Sequence, residues 1–363
     1  MASAYRVAII GGGYAGFELA KKLDGYVDVT LIEAREAFVH NVGAPRAMAQ
    51  PDLIDRIIFP YDRLLQSGRI LRARAEAVDT AGVSLADGGR VDADAVVVAT
   101  GSGYAAPFKP QGDSTADFAN QLRASAAQVA AAGQIVIVGA GAVGVELAGE
   151  IKAAHPAKRV ALVSAQPQIF PMYRAELHAR LTRQLSAIGI ELYLGQSASG
   201  LARSDAPHEG EVVLGDGTVL QGLIVPAIGA RVTQEPTHAL PGAKPAANGQ
   251  LAVDPWLRPS SLPGVFAIGD LAGTGEGMTV VSASRHAPWM AATLRKLAAG
   301  QALESLPAYQ PWKVPPILIP LGAGKGTSVL PLGSRGMVVG DWLTTMIKGK
   351  DLFIPRYNKE FGR

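Results

Sequence analysis

Two glycine turns carry the clearest chemistry in this sequence. The first, Gly11-Gly12-Gly13-Tyr14-Ala15-Gly16, follows an apolar run at residues 5–10 and precedes a helix-like segment. The first glycine of such a pattern allows a tight turn, the second lets the backbone approach a pyrophosphate, and the third lets helix and strand pack closely. The start of the helix then offers free N–H groups to the phosphates. The pattern predicts a dinucleotide site formed by Gly11, Gly13, Tyr14, Ala15 and Gly16.

An acidic residue supports this interpretation. Glu33 ends the next apolar run, at residues 27–33, and lies 22 residues after Gly11. A carboxylate at the end of that strand can accept hydrogen bonds from the ribose hydroxyls of an adenosine. We therefore place Glu33 in the predicted site, together with Ala34, Arg35 and Asn41.

The same glycine pattern returns at Gly139-Ala140-Gly141-Ala142-Val143-Gly144, but its acidic partner is missing. The strand that follows ends at Ser164, and no arginine comes directly after it. A carboxylate there would favour NADH and repel the 2′-phosphate of NADPH, whereas a serine tolerates both. The predicted site for NADH or NADPH is formed by Gly139, Gly141, Gly144 and Ser164.

The two turns belong to a duplication. The interval from Gly11 to Gly101 and the interval from Gly139 to Gly229 are both 90 residues long. Two copies of one nucleotide-binding unit explain this spacing. We therefore include Thr100 and Gly101 in the first cofactor site and Gly229 in the second.

A third motif indicates which site holds the flavin. Gly269 and Asp270 follow an apolar run that comes after the second unit, so the chain has returned to the first domain. An aspartate at this position can hydrogen-bond a ribityl hydroxyl and a pyrophosphate-bound water, although a solvated turn aspartate is the alternative. The motif predicts FAD in the first site. The helix expected at residues 280–299 would direct its N-terminus, near residues 281–284, at the negative charge of the reduced flavin.

These elements predict an α/β protein with two Rossmann-like dinucleotide-binding domains, the NAD(P) domain being inserted into the FAD domain, and a small C-terminal α+β domain. The FAD domain is expected at residues 1–108 and 236–304, and the NAD(P) domain at 109–235. Four prolines between 307 and 316 mark the start of the C-terminal domain, residues 305–363. Within it, two strand-like runs precede a short helix at 341–348.

Composition narrows the chemistry and the location. The chain has no cysteine, which excludes electron transfer through a protein disulfide and fits a reducing compartment. The charge-free stretch at residues 124–145 overlaps the second glycine turn, so we interpret it as a helix end, a strand and a turn. We expect a protein of the cytoplasm, either free there or bound peripherally at a membrane surface. We expect neither a metal site nor nucleic-acid binding.

The basic residues are concentrated near the C-terminus. Residues 311–363 hold eight Lys and Arg against three Asp and Glu, a net charge of +5 in a chain whose total is +3. Peripheral contact of this segment with anionic lipid is one explanation. Solvated surface charge is the other.

The combined motifs resemble the FAD-dependent pyridine nucleotide oxidoreductases over residues 5 to about 300. Three shorter segments resemble the apoptosis-inducing-factor-like branch, which includes ferroptosis suppressor protein and is related to type II NADH:quinone oxidoreductases. These segments are Phe38-Val39-His40-Asn41-Val42, Gly144-Val145-Glu146 and Lys348-Gly349-Lys350-Asp351-Leu352-Phe353. The resemblance implies hydride transfer from NAD(P)H to FAD, followed by two-electron reduction of a small-molecule quinone at a membrane face.

The resemblance also implies candidate catalytic and substrate residues. Glu146 would face the nicotinamide, and Lys348 would lie near the reducible carbonyl of the quinone. The quinone slot would be lined by Trp342, Met346 and Phe353. His40 is a candidate contact for flavin or quinone. For each of these residues a structural role is the alternative: a helix-dipole acid, a solvated lysine, core packing, or a satisfied histidine.

Two other functions fit the same motifs. A reductase of a small redox protein, of the rubredoxin or ferredoxin type, would use the basic segment to attract an acidic partner. A slow-turnover NAD(P)H redox sensor would change its association state on binding the nucleotide. A homodimer is therefore left open.

Overall fold

The computed structural model describes residues 5–233, 235–236, 240–246 and 248–363. The strands are β1 (Arg6–Ile10), β2 (Asp28–Glu33), β3 (Ala37–Val39), β4 (Ile58–Pro60), β5 (Arg69–Arg72), β6 (Ala75–Asp79), β7 (Gly82–Leu85), β8 (Arg90–Asp92), β9 (Ala95–Val98), β10 (Ser102–Gly103), β11 (Gln134–Val138), β12 (Arg159–Ser164), β13 (Ile190–Leu194), β14 (Ala198–Ser199), β15 (His208–Leu214), β16 (Val219–Pro226), β17 (Arg231–Val232), β18 (Leu251–Ala252), β19 (Val265–Ala267), β20 (Ala272–Gly273), β21 (Ile317–Pro320), β22 (Gly326–Leu330) and β23 (Met337–Val339). The α-helices are α1 (Tyr14–Leu23), α2 (Ala44–Ala49), α3 (Thr115–Ala131), α4 (Ala142–Ala154), α5 (Ala175–Ala187), α6 (Val280–Ala298), α7 (Asp341–Thr344) and α8 (Ile354–Glu360). Thr345–Gly349 form a π-helical turn.

The first glycine turn lies at the end of a parallel sheet with the strand order β19-β9-β1-β2-β5. Strands β1, β2 and β9 are buried along almost their whole length, as expected for strands covered on both faces. α1 begins directly after the turn. β19 pairs with β9 although it comes from the far side of the second unit. The chain therefore returns to the first sheet, as the sequence predicts.

The second unit is a sheet with the order β13-β12-β11-β16-β15-β14, in which the first four strands are parallel. Both units use the third glycine in the same way. A Cβ atom on Gly16 would lie 1.8 Å from the carbonyl oxygen of Gly11, and one on Gly144 would lie 1.9 Å from that of Gly139. The predicted fold class is confirmed, whereas the exact domain boundaries remain predictions.

The C-terminal residues contact both units. β21, β22 and β23 form an antiparallel sheet of three strands, one more than the sequence predicts. This sheet lies against α4, where a Cβ on Gly149 would come within 2.6 Å of Leu321. α8 packs on the first unit instead, and Tyr357 and Phe361 there join a cluster of aromatic rings around Phe38. The C-terminal domain thus spans the junction of the two units.

The charge-free stretch at 124–145 contains the end of α3, all of β11 and the second glycine turn, as predicted. None of the described helices combines the length and the hydrophobicity that crossing a bilayer requires. Two cations of the basic C-terminal segment are paired within the fold: the buried Lys348 pairs with Glu146, and the half-exposed Arg356 pairs with Glu18. The segment's positive charge is therefore partly neutralised within the fold.

Candidate functional site

A cavity of about 290 Å³ lies where the first glycine turn, the start of α4, the start of α6 and the C-terminal domain meet. The predicted residues that line it are Gly11, Gly13, Tyr14, Ala15, Glu33, Arg35, Asn41, Thr100, Gly101, Glu146, Gly269, Asp270, Lys348 and Phe353. Residues predicted to bind FAD and residues predicted to act on the nicotinamide or the quinone thus line the same cavity.

The first turn leaves an open cradle on the cavity side. Gly11 has a φ of +98°, and a Cβ there would lie 2.6 Å from the carbonyl oxygen of Ala99, so the strand end admits only glycine. Gly13 lines the cavity, and a Cβ on it would meet no described atom within 4 Å. Backbone N–H groups are therefore exposed to a ligand at the start of α1. This geometry fits a pyrophosphate.

Glu33 is tied to this turn. Its carboxylate accepts hydrogen bonds from the backbone N–H of Gly12, at 2.6 Å, and of Arg35, at 2.9 Å. The hydroxyl of Tyr61 donates to the carbonyl oxygen of Gly12 at 2.8 Å. Glu33 lines the cavity while fixing the turn, and its predicted contact with a ribose remains a prediction. Tyr61 was not identified from the sequence, because its contact with Gly12 joins residues 49 positions apart.

Asp270 reaches the cavity with two partners that sequence reasoning missed. Its Oδ2 accepts a hydrogen bond from Ser102 Oγ at 2.5 Å and lies 3.5 Å from Nζ of Lys109. Lys109 also donates to the carbonyl oxygen of Ser102 at 2.9 Å. Ser102 directly follows the Thr100-Gly101 motif, which could have drawn attention to it, whereas Lys109 has no local signature.

Asn41 provides a direct indication of a ligand. Its side-chain Oδ1 is buried and has no hydrogen-bond partner among the described residues, yet the residue lines the cavity. Buried polar atoms are nearly always paired in proteins, so an unpaired one in a cavity indicates a missing partner. The open glycine cradle and this unpaired oxygen together fit a polar cofactor such as FAD.

The start of α6 faces the same space, as predicted. Val280 and Val281 line the cavity, and the helix is capped by Thr279, whose Oγ1 accepts a hydrogen bond from Ser282 N at 3.2 Å. The remaining N–H groups of the first turn and the helix dipole give this wall of the cavity a positive potential. A ligand group that acquires negative charge would be stabilised there.

Glu146 and Lys348 form an ion pair in the wall of the cavity. Lys348 Nζ lies 2.6 Å from Glu146 Oε1, and the two side chains are 9% and 8% exposed. Lys348 also donates to the carbonyl oxygen of Leu318 at 3.1 Å. Burial raises the pKa of Glu146, and the nearby ammonium group of Lys348 opposes this shift. The pair joins α4 to the C-terminal domain inside the cavity.

His40 lies next to the cavity-lining residue Tyr14, and its contact with flavin or quinone stays a prediction. The ring is fully buried outside the cavity lining, and both of its nitrogens are engaged. Nε2 lies 2.6 Å from the carbonyl oxygen of Leu352, and Nδ1 lies 2.9 Å from the hydroxyl of Tyr14. Burial lowers the pKa of His40 to about 3, against the hydrogen bond to Leu352. His40 acts as a neutral link to the C-terminal segment.

Trp342 and Met346 lie elsewhere than expected. They are 75% and 58% exposed and do not line the cavity. Lys348 follows Met346 by two residues, so on a helical segment its side chain is directed almost opposite to that of Met346. Because Lys348 faces the cavity, Trp342 and Met346 face solvent. Of the three predicted quinone contacts, Phe353 alone borders the cavity.

The remaining predicted residues lie outside this lining. Gly16 packs beneath the first turn, and Ala34 follows the end of β2. The residues of the second site that do not border the cavity are Gly139, Gly141, Gly144, Ser164 and Gly229. Their helix does, through Ala142 and Val143. The second turn is therefore next to the cavity, which the start of α4 reaches, but is not part of its lining.

Comparison with known proteins agrees with this geometry. Residues 5–287 match the family described as pyridine nucleotide-disulphide oxidoreductase. The chain belongs to that family. It is an FAD-dependent NAD(P)H oxidoreductase, with FAD and NAD(P)H as its cofactors. Because the chain has no cysteine, it departs from the disulfide chemistry in the family's description.

Similar proteins cover almost the whole chain. Apoptosis-inducing factor homolog B of Dictyostelium discoideum is 30% identical over 97% of this chain and 95% of its own length. Ferroptosis suppressor protein 1 of Xenopus tropicalis is 27% identical over 99% and 96%. The sulfide:quinone oxidoreductase of Aquifex aeolicus has the same fold, with a TM-score of 0.74 at 15% identity, over 99% of this chain and 91% of that one. The branch indicated by the sequence is therefore confirmed.

Proposed function

We propose that the chain is an NAD(P)H:quinone oxidoreductase. When bound, FAD supplies the redox chemistry: it accepts the hydride of NAD(P)H and returns two electrons to the acceptor. The observation that carries the proposal is a cavity bordered jointly by the first glycine turn, by the start of α4 and by an apolar part of the C-terminal domain. Such a cavity would bring both the nicotinamide that donates the hydride and the quinone that accepts the electrons to the flavin ring.

The start of α4 forms the donor side of the cavity. Ala142 and Val143 come directly after Gly141 and line the space, and Glu146 follows one turn later. Small and apolar side chains allow a flat nicotinamide ring to approach closely, and this approach supplies most of the catalysis of hydride transfer. Glu146 would orient the ring through its carboxylate, whose charge is balanced by Lys348.

The C-terminal domain forms the acceptor side. Ile317, Ile319 and Phe353 give the cavity an apolar wall suited to a flat quinone. Lys348 has three N–H donors, and two of them are used by Glu146 and by the carbonyl oxygen of Leu318 in the described structure. The third would donate to the quinone oxygen that gains negative charge. Reduction to the quinol takes up two electrons and two protons: the electrons and one proton come from the hydride of NAD(P)H, and the second proton comes from solvent.

The comparisons support the same reaction class without fixing the acceptor. One protein of the same fold is, by its title, a sulfide:quinone oxidoreductase. Others are by title a ferredoxin reductase and a putidaredoxin reductase in complex with putidaredoxin. The experiment must therefore compare a quinone with a small redox protein.

We suggest stopped-flow measurement of the two half-reactions. The protein is reduced anaerobically with one equivalent of NADH and then mixed with a soluble ubiquinone analogue, a menaquinone analogue or an acidic ferredoxin. We expect rapid re-oxidation by at least one quinone and slow re-oxidation by ferredoxin. Re-oxidation by ferredoxin alone would contradict the proposal, and so would slow re-oxidation by every acceptor, which would indicate a redox sensor.

A pair of variants tests where the quinone binds. Phe353→Ala should raise the KM for the quinone while leaving the rate of flavin reduction by NADH unchanged. Tyr26→Ala removes an exposed aromatic side chain outside the cavity and serves as the matched control. Equal KM values for Phe353→Ala and the parent protein would remove Phe353 from the acceptor site.

A further inference from the structure

A second buried ion pair lies beside the cavity. Arg46 in α2 and Glu150 in α4 share two hydrogen bonds, Nε to Oε2 at 2.9 Å and Nη2 to Oε1 at 2.8 Å. Their side chains are 6% and 2% exposed, and neither residue lines the cavity. Burying two charges is costly unless every donor and acceptor is satisfied, so such a pair needs further partners.

Arg46 finds these partners in the C-terminal domain. Its Nη2 donates to the carbonyl oxygen of Gly349 at 2.7 Å, and its Nη1 to that of Lys350 at 3.4 Å. Both carbonyls lie where the π-helical turn ends, and Lys350 N bonds back to Thr345 O at 2.9 Å. The last carbonyls of a helix have no intrahelical donor, and a π-helical turn is frequent at functional sites. Arg46 supplies the missing donors from another domain.

These contacts directly follow Lys348 in the chain. Glu146 and Glu150 are four residues apart on α4, so they lie on one face of that helix. Glu146 binds the ammonium group of Lys348, and Glu150 binds the guanidinium group that holds the backbone of the next two residues. Lys348 is therefore fixed to one face of α4 in two ways. Its ammonium group binds Glu146 directly, and the backbone that follows it is held through Arg46.

We propose that Arg46 and Glu150 are positioning residues that set the ammonium group of Lys348 at the wall of the cavity. The inference builds on the proposed function, since it assigns Lys348 to the acceptor half-reaction. Arg46 and Glu150 lie outside the cavity lining, so their effect on Lys348 is indirect. They act on the backbone of Gly349 and Lys350, and a displacement of Lys348 by about 1 Å would slow the acceptor step by about 100-fold.

The test replaces the pair and compares it with an exposed pair. Arg46→Met/Glu150→Met exchanges both charges for apolar side chains of similar length, a change that buried pairs commonly tolerate. The matched control is Arg123→Met/Asp55→Met, which removes an Arg–carboxylate pair that is 47% and 79% exposed. Two quantities are measured: the rates of the two half-reactions, and amide hydrogen exchange in a peptide that covers residues 345–353.

We expect the Arg46/Glu150 variant to bind FAD and to accept hydride from NADH within about twofold of the parent rate. Its re-oxidation by quinone should slow by about 10- to 100-fold, and residues 345–353 should exchange faster. The control should match the parent in every measurement. Unchanged exchange in residues 345–353 would overturn the inference. Faster exchange with an unchanged quinone rate would overturn it as well.

The exchange measurement separates this inference from the proposed function. If the parent protein reduces no quinone, the proposed function fails, whereas faster exchange in the variant would still show that the pair holds the segment. Arg46→Lys covers the case in which the double variant does not fold. A lysine keeps the charge, but its three N–H donors on a single nitrogen cannot reproduce the four hydrogen bonds that Arg46 makes from three nitrogens. Arg46→Lys should therefore show faster exchange and slower re-oxidation, and parent-like values for both would refute the proposal.

Discussion

Replacing Lys348 by methionine would leave Glu146 buried without its cation. The carboxylate is 8% exposed, and its Oε1 lies 2.6 Å from Nζ of Lys348. Loss of one member of a buried pair costs about 3–5 kcal/mol when the other member keeps its charge. Glu146 can avoid part of this cost by binding a proton, because burial already raises its pKa.

Protonation sets the upper limit of the effect. A carboxyl group with an ordinary pKa of 4.5 costs about 1.4 kcal/mol to protonate for each pH unit above that value, which makes about 3.5 kcal/mol at pH 7. This upper limit on the loss of stability falls towards zero as the pH approaches 4.5, because Glu146 then binds a proton in the unfolded chain as well. Lys348→Met should lower the free energy of unfolding by up to about 3.5 kcal/mol at pH 7 and by less than about 1 kcal/mol at pH 5.

Thermal unfolding of the FAD-loaded protein at the two pH values tests this reasoning. Glu146→Gln/Lys348→Met removes both charges and should recover most of the lost stability at pH 7. Lys325→Met, at an exposed position, controls for the loss of one positive charge. The reasoning is refuted if Lys348→Met is equally destabilising at pH 5 and pH 7, or if it has no effect at pH 7.

Three further predictions follow from other contacts. Burial tends to raise the pKa of Glu276, but hydrogen bonds from His286, Tyr309 and the backbone of Trp312 outweigh it and lower the pKa to about 2. The ionised carboxylate of Glu276 should stabilise the fold by about 3 kcal/mol. This stabilisation should be complete above pH 4.5 and disappear as the pH falls towards 2. Glu276→Gln should therefore flatten this part of the acid-unfolding curve, and an unchanged curve would contradict the assignment. Asn41→Ala should weaken FAD binding about 10-fold through the loss of one hydrogen bond, measured by titrating the apoprotein with FAD, and parent-like affinity would exclude Asn41 from the site. We also propose that the exposed face formed by Trp342 and Met346 rests on anionic lipid. Trp342→Ser/Met346→Ser should then reduce flotation of the protein with phosphatidylserine vesicles. Equal flotation of the variant and the parent protein would refute this proposal.

The fold and the first cofactor site could be predicted because their determinants are local. The tight turn at Gly11, the close packing of Gly16 and the acid at Glu33 are fixed by positions within one strand–turn–helix unit. The duplication then supplied the second unit. Asp270 was found because a short motif follows a buried strand and begins a turn.

The acceptor side could not be predicted as well, because it depends on contacts between distant parts of the chain. His40 binds the carbonyl of a residue 312 positions away and so forms a structural link. The change from α-helix to π-helical turn at Thr345 is not encoded by any simple spacing. Which side of this segment faces the cavity depends on its packing against α4, where Lys348 pairs with Glu146 while Met346 stays exposed. Arg46 has no local signature, since its guanidinium group binds described residues that lie at least 104 positions away in the chain.

FAD and NAD(P)H are two different dinucleotides, and we expect their reactive rings to meet in the cavity. Anaerobic titration of the purified protein with NADH, followed by its visible absorption spectrum, tests this claim most directly. We predict a yellow protein that is bleached completely by one equivalent of NADH for each bound flavin. A protein that stays colourless after incubation with FAD, or one whose yellow colour persists in excess NADH and NADPH, would contradict the account.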